Sequence, residues 1–591
     1  MYGEIALKPR FFIFTPNYIH LRKFLTISSR VILAILLLLF ILYGILHLSS
    51  VQTWLVKKIA SNLSEKLNTK VTIKKVDVRF FNKVLLEGVM VQDRKKDTLL
   101  YAGVLRANVN DWFFFKDKIA LENIGLDDAI VNMKRTDSVW NYQFLVDYFA
   151  SPNKTKKTGG EVVIDLKELH FTNIKFNKID GWIGQDMIAN LGKLDLTMEL
   201  VDVKNKKIYI KQITLKNPLF AQKDYKGNRP EQANLQQIIE KIPVIGAFKW
   251  NDGGWDIKLE KLEMADGAFK NDKFTLEPPM ADRFDGQHIF FDKLNGSMKN
   301  VHFVNDTLKM YINLNATERS GLIVKKLESN MKLTPEVIEF KNLDLETNKS
   351  RLKDYFSMTY QSFQTDFGSF LHNVSLEANF KEGVLNSDDL AFFSPNLKNW
   401  KRIFYLDGNV KGPLDNFVSK DIKIRTGNTV LEGNLAMRGL PDINTTFIDL
   451  QAKQLRTNYG DMIGIVPQLK KVKNPAISKL GAVSFAGNFV GFIKDFVAFG
   501  TFNTALGNLT ADVNMKIPPN RPAAYSGTLS STGFNLGAFI QNKQLGKIAL
   551  NAKIVGSGFD LNELKAQVNG KVRSIQFNDY NYQNLAVDGD F

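Results

Sequence analysis

The chain contains no cysteine in 591 residues. That absence excludes disulfides, zinc ribbons, iron–sulfur clusters and thiol nucleophiles together. It is compatible with an oxidising compartment, though it does not establish one. Histidine is nearly as scarce, with six residues at positions 20, 47, 170, 288, 302 and 372, none in H-x-x-x-H or H-E-x-x-H spacing. A metal site is therefore not expected. No G-x-S-x-G elbow or P-loop occurs, and Gly556-Ser557-Gly558 lacks the third glycine of a phosphate turn, because Leu561 stands in its place. Acidic residues are dispersed instead of paired at a loop, so neither an enzyme nor a cofactor is expected.

What is present is globular: 44% hydrophobic and 24% charged residues provide enough apolar material to bury along most of the length. The net charge of +17 would suit nucleic acid or an anionic membrane. Lys and Arg, however, alternate with apolar residues and mix with Asp and Glu. This pattern describes solvated strand faces rather than a nucleic-acid stripe.

Val31 to Leu46 reads VILAILLLLFILYGIL, and no charged residue lies between Arg30 and Lys57. The run is long enough to span a hydrocarbon core of roughly 30 Å, and no A-x-A-like cleavage site follows it. We expect a cytoplasmic tail over 1–30, a single transmembrane helix over 31–51, and an exported body. An amphipathic stalk helix is expected over 52–69, with Val51, Trp54, Leu55, Ile59, Leu63 and Leu67 at helical spacing.

Beyond Thr69 the pattern turns to period two, and the fold class is mainly β. Leu308, Met310, Ile312 and Leu314 alternate with mostly polar residues, as do Leu509, Ala511, Val513, Met515 and Ile517. A first β unit is expected over 70–150, a polar linker over 151–160 (SPNKTKKTGG), and a repetitive array over 161–591, with a short inserted helix from Pro230 to Ile242. At 12–13 residues per strand and turn, the body would hold on the order of 40 strands, a ribbon of roughly 190 Å.

The array repeats. Leu406-Asp407-Gly408-Asn409-Val410-Lys411-Gly412 aligns with Phe485-Ala486-Gly487-Asn488-Phe489-Val490-Gly491 and with Leu550-Asn551-Ala552-Lys553-Ile554-Val555-Gly556. Ahead of the first two copies, Asp389 to Pro395-x-Leu397 and Asp461 to Pro467-x-Leu469 each predict a short helix ending at proline. A unit of a few strands and one short helix cannot cover its own apolar face, so units must stack. The sheet then either packs on another layer or curls so that the face lines a groove. With little material for a second layer, the curled groove is expected. The two alternating runs named above are its candidate lining residues.

The anchor, Trp54-Leu55-Val56, Lys70-Val71-Thr72-Ile73 and Leu85-Leu86-Glu87-Gly88-Val89-Met90-Val91-Gln92-Asp93 resemble the start of AsmA-like and TamB-like proteins, and the Leu-x-Gly-Asn-x-x-Gly units resemble TamB repeats. The resemblance implies a bacterial inner-membrane protein projecting through the periplasm as an elongated, curled β-groove. It also implies phospholipid moving towards the outer membrane. An alternative role is as a scaffold for outer-membrane protein assembly or secretion, beside an outer-membrane barrel partner. Family members end in a characteristic C-terminal domain, whereas this sequence stops at Val587-Asp588-Gly589-Asp590-Phe591, like Leu431 to Leu435 in mid-strand. The expectation is an N-terminal part, with the barrel-contacting region outside it.

Overall fold

A computed structural model describes residues 33–38, 40–41, 44–45, 48–79, 83–109, 118–150, 161–230, 250–273, 278–361, 366–440, 442–465, 467–559 and 564–590. The linker over 151–160 lies outside these residues, as do His20, His47 and all of the inserted helix expected from Pro230 to Ile242 except Pro230 itself. The chain divides into two compact units, one drawing on residues 1–130 and 141–164 and the other on 131–140 and 165–591.

In the first unit, helix α1 (Ser49–Leu67) precedes strands β1 (Val71–Thr72), β2 (Lys75–Arg79), β3 (Lys83–Gln92) and β4 (Thr98–Val109). Strand β5 (Lys118–Arg135) gives residues to both units, and α2 (Gln143–Ala150) belongs to the first. β1 and β2 both pair with β3, which pairs in turn with β4. α1 ends in a left-handed Asn68, whose N–H reaches back to Glu65 and Ser64 carbonyls.

Rather than standing free as a stalk, α1 buries Ala60 and Leu67 against Val71, Leu99 and Phe144. Of the expected inward face Leu63 and Leu67 do pack into this cluster, but Trp54 and Ile59 are 63% and 58% exposed, while Gln52 pairs its side-chain amide with both the N–H and C=O of Val78. The helix thus satisfies the backbone of β2, a strand edge that would otherwise be open. Among the described residues no helix is long and apolar enough to cross a membrane. Residues 31–32, 39, 42–43 and 46–47 of the expected span are outside them, and those described between 33 and 45 are helical.

The second unit takes the end of β5, β6 (Glu161–Asp180) from Asp165 onward, β7 (Gln185–Asp202), β8 (Lys207–Lys216) and β9 (Leu219–Asp224). β10 (Asp256–Lys273), β11 (His288–Val304), β12 (Thr307–Glu318), β13 (Ile323–Leu333), β14 (Val337–Glu346) and β15 (Arg351–Thr359) follow. Helix α3 (Phe370–Asn373), β16 (Ser375–Asn386) and α4 (Ser387–Leu390) lead into β17 (Ile403–Pro413), β18 (Asn416–Thr426), β19 (Thr429–Arg438) and β20 (Phe447–Asn458). After α5 (Tyr459–Ile465) come β21 (Ala482–Phe492), β22 (Asp495–Thr504), β23 (Gly507–Lys516) and β24 (Ala524–Asn535). Helix α6 (Leu536–Ile540), β25 (Leu545–Ser557), β26 (Lys565–Phe577) and β27 (Tyr580–Asp590) complete it.

The protein is mainly β, but the strands are longer and fewer than expected, with β6 alone running 20 residues. Twenty-seven are seen among the described residues. The ribbon estimate shrinks in proportion. β8 and β9 act as one strand interrupted at Asn217-Pro218: both pair antiparallel with β7 and parallel with β10. A proline cannot supply the N–H a continuous ladder needs there. From β10 to β27 each strand pairs antiparallel with the next.

Length without flatness comes from irregularities placed side by side. Register shifts interrupt every pairing from β10–β11 through β20–β21. Several carry a polar residue at positive φ, among them Asp266, Asn342, Glu382 and Asp421. A bulge bends its strand and increases its twist, and it strands an N–H. Here neighbouring strands satisfy those groups: Asp266 N–H donates to Asn295 Oδ1 (2.8 Å), Glu382 N–H to Asp407 Oδ1 (2.7 Å), and Asp421 N–H to Asn434 Oδ1 (3.0 Å).

The pairings β21–β22, β22–β23 and β23–β24 have no bulge. Glycine takes over. Gly487 and Gly500 sit directly opposite each other at φ +153° and +158°. A Cβ on Gly487 would be driven into the Phe499 carbonyl.

The repeat is a four-strand unit, its three copies falling on β17, β21 and β25. Helices α4, α5 and α6 occupy the connection before each copy, and the two prolines open 3-10 turns at Pro395–Asn399 and Pro467–Lys471. The repeated aspartates do equivalent work on the turn two strands back. Asp389 accepts from the Lys349 N–H (2.9 Å) and from Thr347 Oγ1, while Asp461 accepts from the Asn428 N–H (2.8 Å) and from Arg402 (2.7 Å). Asn386, Asn458 and Asn535 accept from the first-turn N–H groups of Asp388, Asp461 and Ala538.

Burial pushes the Asp461 carboxyl up, but the Arg402 hydrogen bond, with help from the Asn428 N–H and Thr429, holds it below its ordinary 3.8. A carboxyl depressed in the folded state contributes stability that is present above 3.8 and lost as pH falls through the folded value. Arg402→Leu leaves Asp461 buried without its cation and should cost about 3–5 kcal/mol locally at neutral pH. The loss should be read as faster exchange of the Asn428 amide. Acidification below 3.8 should bring the wild type towards the variant.

Candidate functional site

Residues opposite each other in a ladder project to the same side of a sheet, so the strand register traces one face of the second unit. Met310 pairs with Met331, and the row continues through Phe340, Phe356 and Ala378 to Val410. One strand on, Leu406 pairs with Ile424 and Ile424 with Leu431, keeping the phase of Val410 and Leu435. From Leu435 the row resumes through Leu450, Phe489, Ala498, Val513, Gly527 and Ile554 to Val568. A single apolar face therefore joins β12 to β26.

Both sequence-derived runs lie on it. Met310 and Ile312 are buried and Leu308 and Leu314 half-buried on β12; Ala511 is buried and Leu509, Val513 and Met515 half-buried on β23. Ile517 lies one residue beyond the strand, 42% exposed, with its N–H bonded to the Lys494 carbonyl (2.7 Å). Of the repeat glycines, Gly408 and Gly487 lie centrally on β17 and β21, and Gly412, Gly491 and Gly556 nearer the strand ends. At each, a side chain would press on the neighbouring strand's backbone.

The centre of the face is lined mostly by small side chains: Ser329, Ala378, Ser419, Ala452, Ala498, Ala511 and Ala552 are all buried. Ser419, fully buried, donates its hydroxyl to the Asn409 carbonyl. Larger residues flank this line and contact one another, as in Phe485–Phe502 (ring centroids 4.5 Å apart) and Phe489–Phe496 (4.8 Å). One cluster around Leu450, Ala452 and Phe485 draws every member from β19 to β22, with no helix residue in it. Near α3 and α6, by contrast, Phe367 and Phe370, and Leu536 and Phe539, pack onto the face from its margins.

Sequence reasoning missed Phe340, Phe356, Phe489 and Val568 as members of the same face, because bulges on these or neighbouring strands break the register that would link one alternating run to the next. The signal that could have found them is the Asp-Gly-Asn run of the repeat. Asp407 and Asn409 receive the N–H groups of bulge residues Glu382 and Lys420 on the two adjacent strands.

The described histidines each meet a carboxylate: His170 with Asp195 and Glu168, His288 with Asp272, His302 with Asp256, and His372 with Asp415. Among the described residues no group of three His, Cys, Asp or Glu is placed to hold a metal ion. The chemistry concentrated on the face is apolar contact.

A tight central line and adaptable flanks respond differently to substitution. Ser419→Leu should destabilise the surrounding strands by about 1–3 kcal/mol through overpacking, whereas Leu509→Met should stay below about 1.5 kcal/mol. Amide exchange along β18 and β23 measures both. Searched against known proteins, the chain matches no family model and no curated protein.

Proposed function

We propose that the sheet of the second unit curls about its line of bulges and glycines into an apolar groove that conducts phospholipid acyl chains, from an inner-membrane anchor towards the outer membrane. The observation that carries this reading is the apolar face followed by register from Met310 to Val568, part of which, around Leu450, packs among the described residues on strand residues alone. Bulges bend strands, and stacked bulges bend a sheet along one line. Small buried residues along that line leave room for the bend.

A path that receives acyl chains has to be continuous, since burial contributes about 0.8 kcal/mol per CH₂. A wet gap would return much of that to water at each step. The fifteen strands from β12 to β26, at about 4.8 Å each, give such a face roughly 70 Å across the strands. That exceeds the roughly 30 Å of a hydrocarbon core.

The anchor reading rests on the run from Val31 to Leu46, whose described residues are helical and apolar with outward side chains: Leu33 is 68% and Phe40 72% exposed. So much uncovered apolar helix calls for a nonpolar surrounding. The resemblance to AsmA-like and TamB-like proteins supports the same orientation: N-terminus cytoplasmic, body periplasmic, and an outer-membrane barrel as eventual partner.

The test is lipid bound to the full chain purified in mild detergent. Met310→Glu and Met515→Glu place charge on the face, and each should lower co-purified phospholipid several-fold by mass spectrometry. Phe499→Glu, on the opposite side of β22 and 54% exposed, should not. Unchanged lipid in the Met310 and Met515 variants, with native circular dichroism, removes the basis of the proposal.

A further inference from the structure

The second unit holds a cavity of about 400 Å³ with a different character, lined by Lys223, Lys270, Asp272, Lys273, Pro279, His288, Phe290 and Arg319. It gathers the ends of β9, β10 and β11 and the residue that follows β12. Register assembles it: Asp272 pairs with Lys223 on one side and His288 on the other, Lys270 pairs with Phe290, and the Arg319 N–H donates to the Phe290 carbonyl (2.9 Å). Among the described residues, four cations face a single carboxylate. Asp272 is already engaged by Lys270 (2.7 Å) and His288 (3.3 Å), whereas Lys223, Lys273 and Arg319 form no side-chain ion pair or hydrogen bond among the described residues.

Arg319 carries the inference. Its Nε and Nη2 are buried and have no hydrogen-bond partner among the described residues. These two atoms form one edge of the guanidinium, the edge this protein uses elsewhere to grip an anion with two parallel bonds. Arg135 holds Asp180 through Nε and Nη2 at 2.7 Å each, and Arg351 holds Asp344 at 3.0 and 2.9 Å. A buried guanidinium edge without acceptors is costly. An oxyanion would remove that cost through a bidentate, charge-assisted pair.

We propose that this cavity is a binding site for a phosphate monoester, with Arg319 as the bidentate anchor and Lys223 and Lys273 neutralising the second charge. A dianion matches the surplus of cations better than a carboxylate does. Phe290 and Pro279 offer an apolar side to whatever the phosphate is attached to.

The site is separate from the apolar face. Phe291 pairs with Glu318 and Asp292 with Thr317, so Arg319 follows β12 in the phase of Thr317, opposite to Met310. The two proposals therefore fail independently.

The experiment is titration of the full chain in detergent with inorganic phosphate and with dihexanoyl phosphatidate, followed by ³¹P NMR. Saturable binding of either, weakened at least tenfold by Arg319→Gln and by Lys223→Gln combined with Lys273→Gln, is expected. Binding of both assigns a free phosphate group as sufficient; binding of phosphatidate alone assigns a lipid headgroup. The lysine pair guards against misfolding of the Arg319 variant, since Lys223 is exposed and Lys273 half-buried. No saturable binding of either probe, binding unchanged in folded variants, or equal competition by acetate would overturn the proposal.

Discussion

Everything in the second unit depends on keeping backbone hydrogen bonds unbroken across long strands that are not straight. A bulge leaves an N–H without its ladder partner at each bend, and on exposed residues such as Asp266, Glu382 and Asp421 a side-chain acceptor that replaces water contributes about 0.5–1.5 kcal/mol. The chain answers with side chains from the next strand: Asn295 for Asp266, Asp407 for Glu382, Asn434 for Asp421. Each bend is thereby tied to its neighbour, so bends fall beside bends. Where bulges stop, at β21 to β24, Gly487, Gly500 and Gly527 carry positive φ without any extra residue. Two local devices thus serve one geometric requirement.

The four-strand repeat follows from the same accounting at the sheet margin. Each short helix must satisfy its own first-turn N–H groups and the turn it leans upon. An asparagine before the helix does the first, at Asn386, Asn458 and Asn535. An aspartate within it does the second in two copies, at Asp389 and Asp461. The third copy has no such aspartate. There Gly537 brings the α6 backbone against the Leu545 carbonyl, a contact a side chain would obstruct. Backbone proximity substitutes for the carboxylate.

Much of this was legible in the residues, and the parts that were not have physical reasons. Alternation in Leu308–Leu314 and Leu509–Met515 identified the apolar side of two strands eleven apart, because neither run contains a bulge. The copies at Leu406, Phe485 and Leu550 gave the period, now seen to be four strands. Between Ser419 and Ile422 the inward phase slips by one residue, so pattern reading loses the face there. The helix expected over 52–69 spans Ser49–Leu67, with Leu63 and Leu67 turned inward as their spacing predicts; Trp54 and Ile59 stay exposed, and Gln52 and Thr53 are bonded to a strand edge, to which hydropathy is blind. Arg319 was invisible for a related reason. Nothing in its local sequence distinguishes an arginine whose guanidinium edge lacks an acceptor from one that lies in water.

The two sides of β12 differ in character, and the two proposals draw on one side each. In a two-layer fold one side of each strand is committed to the partner layer, and a charged cavity behind it would compete with core packing. Here the apolar side is held by neighbouring strands and by helices at the margins, as the Leu450 and Phe534 clusters show. The opposite side is free to gather Lys223, Lys270, Lys273 and Arg319. Alternation at every second residue separates an apolar row from a cationic one by the thickness of one backbone. Charge on one side therefore leaves the desolvation of the other largely untouched, and a sheet built on period two can present hydrocarbon contacts and anion contacts along the same strands without either weakening the other.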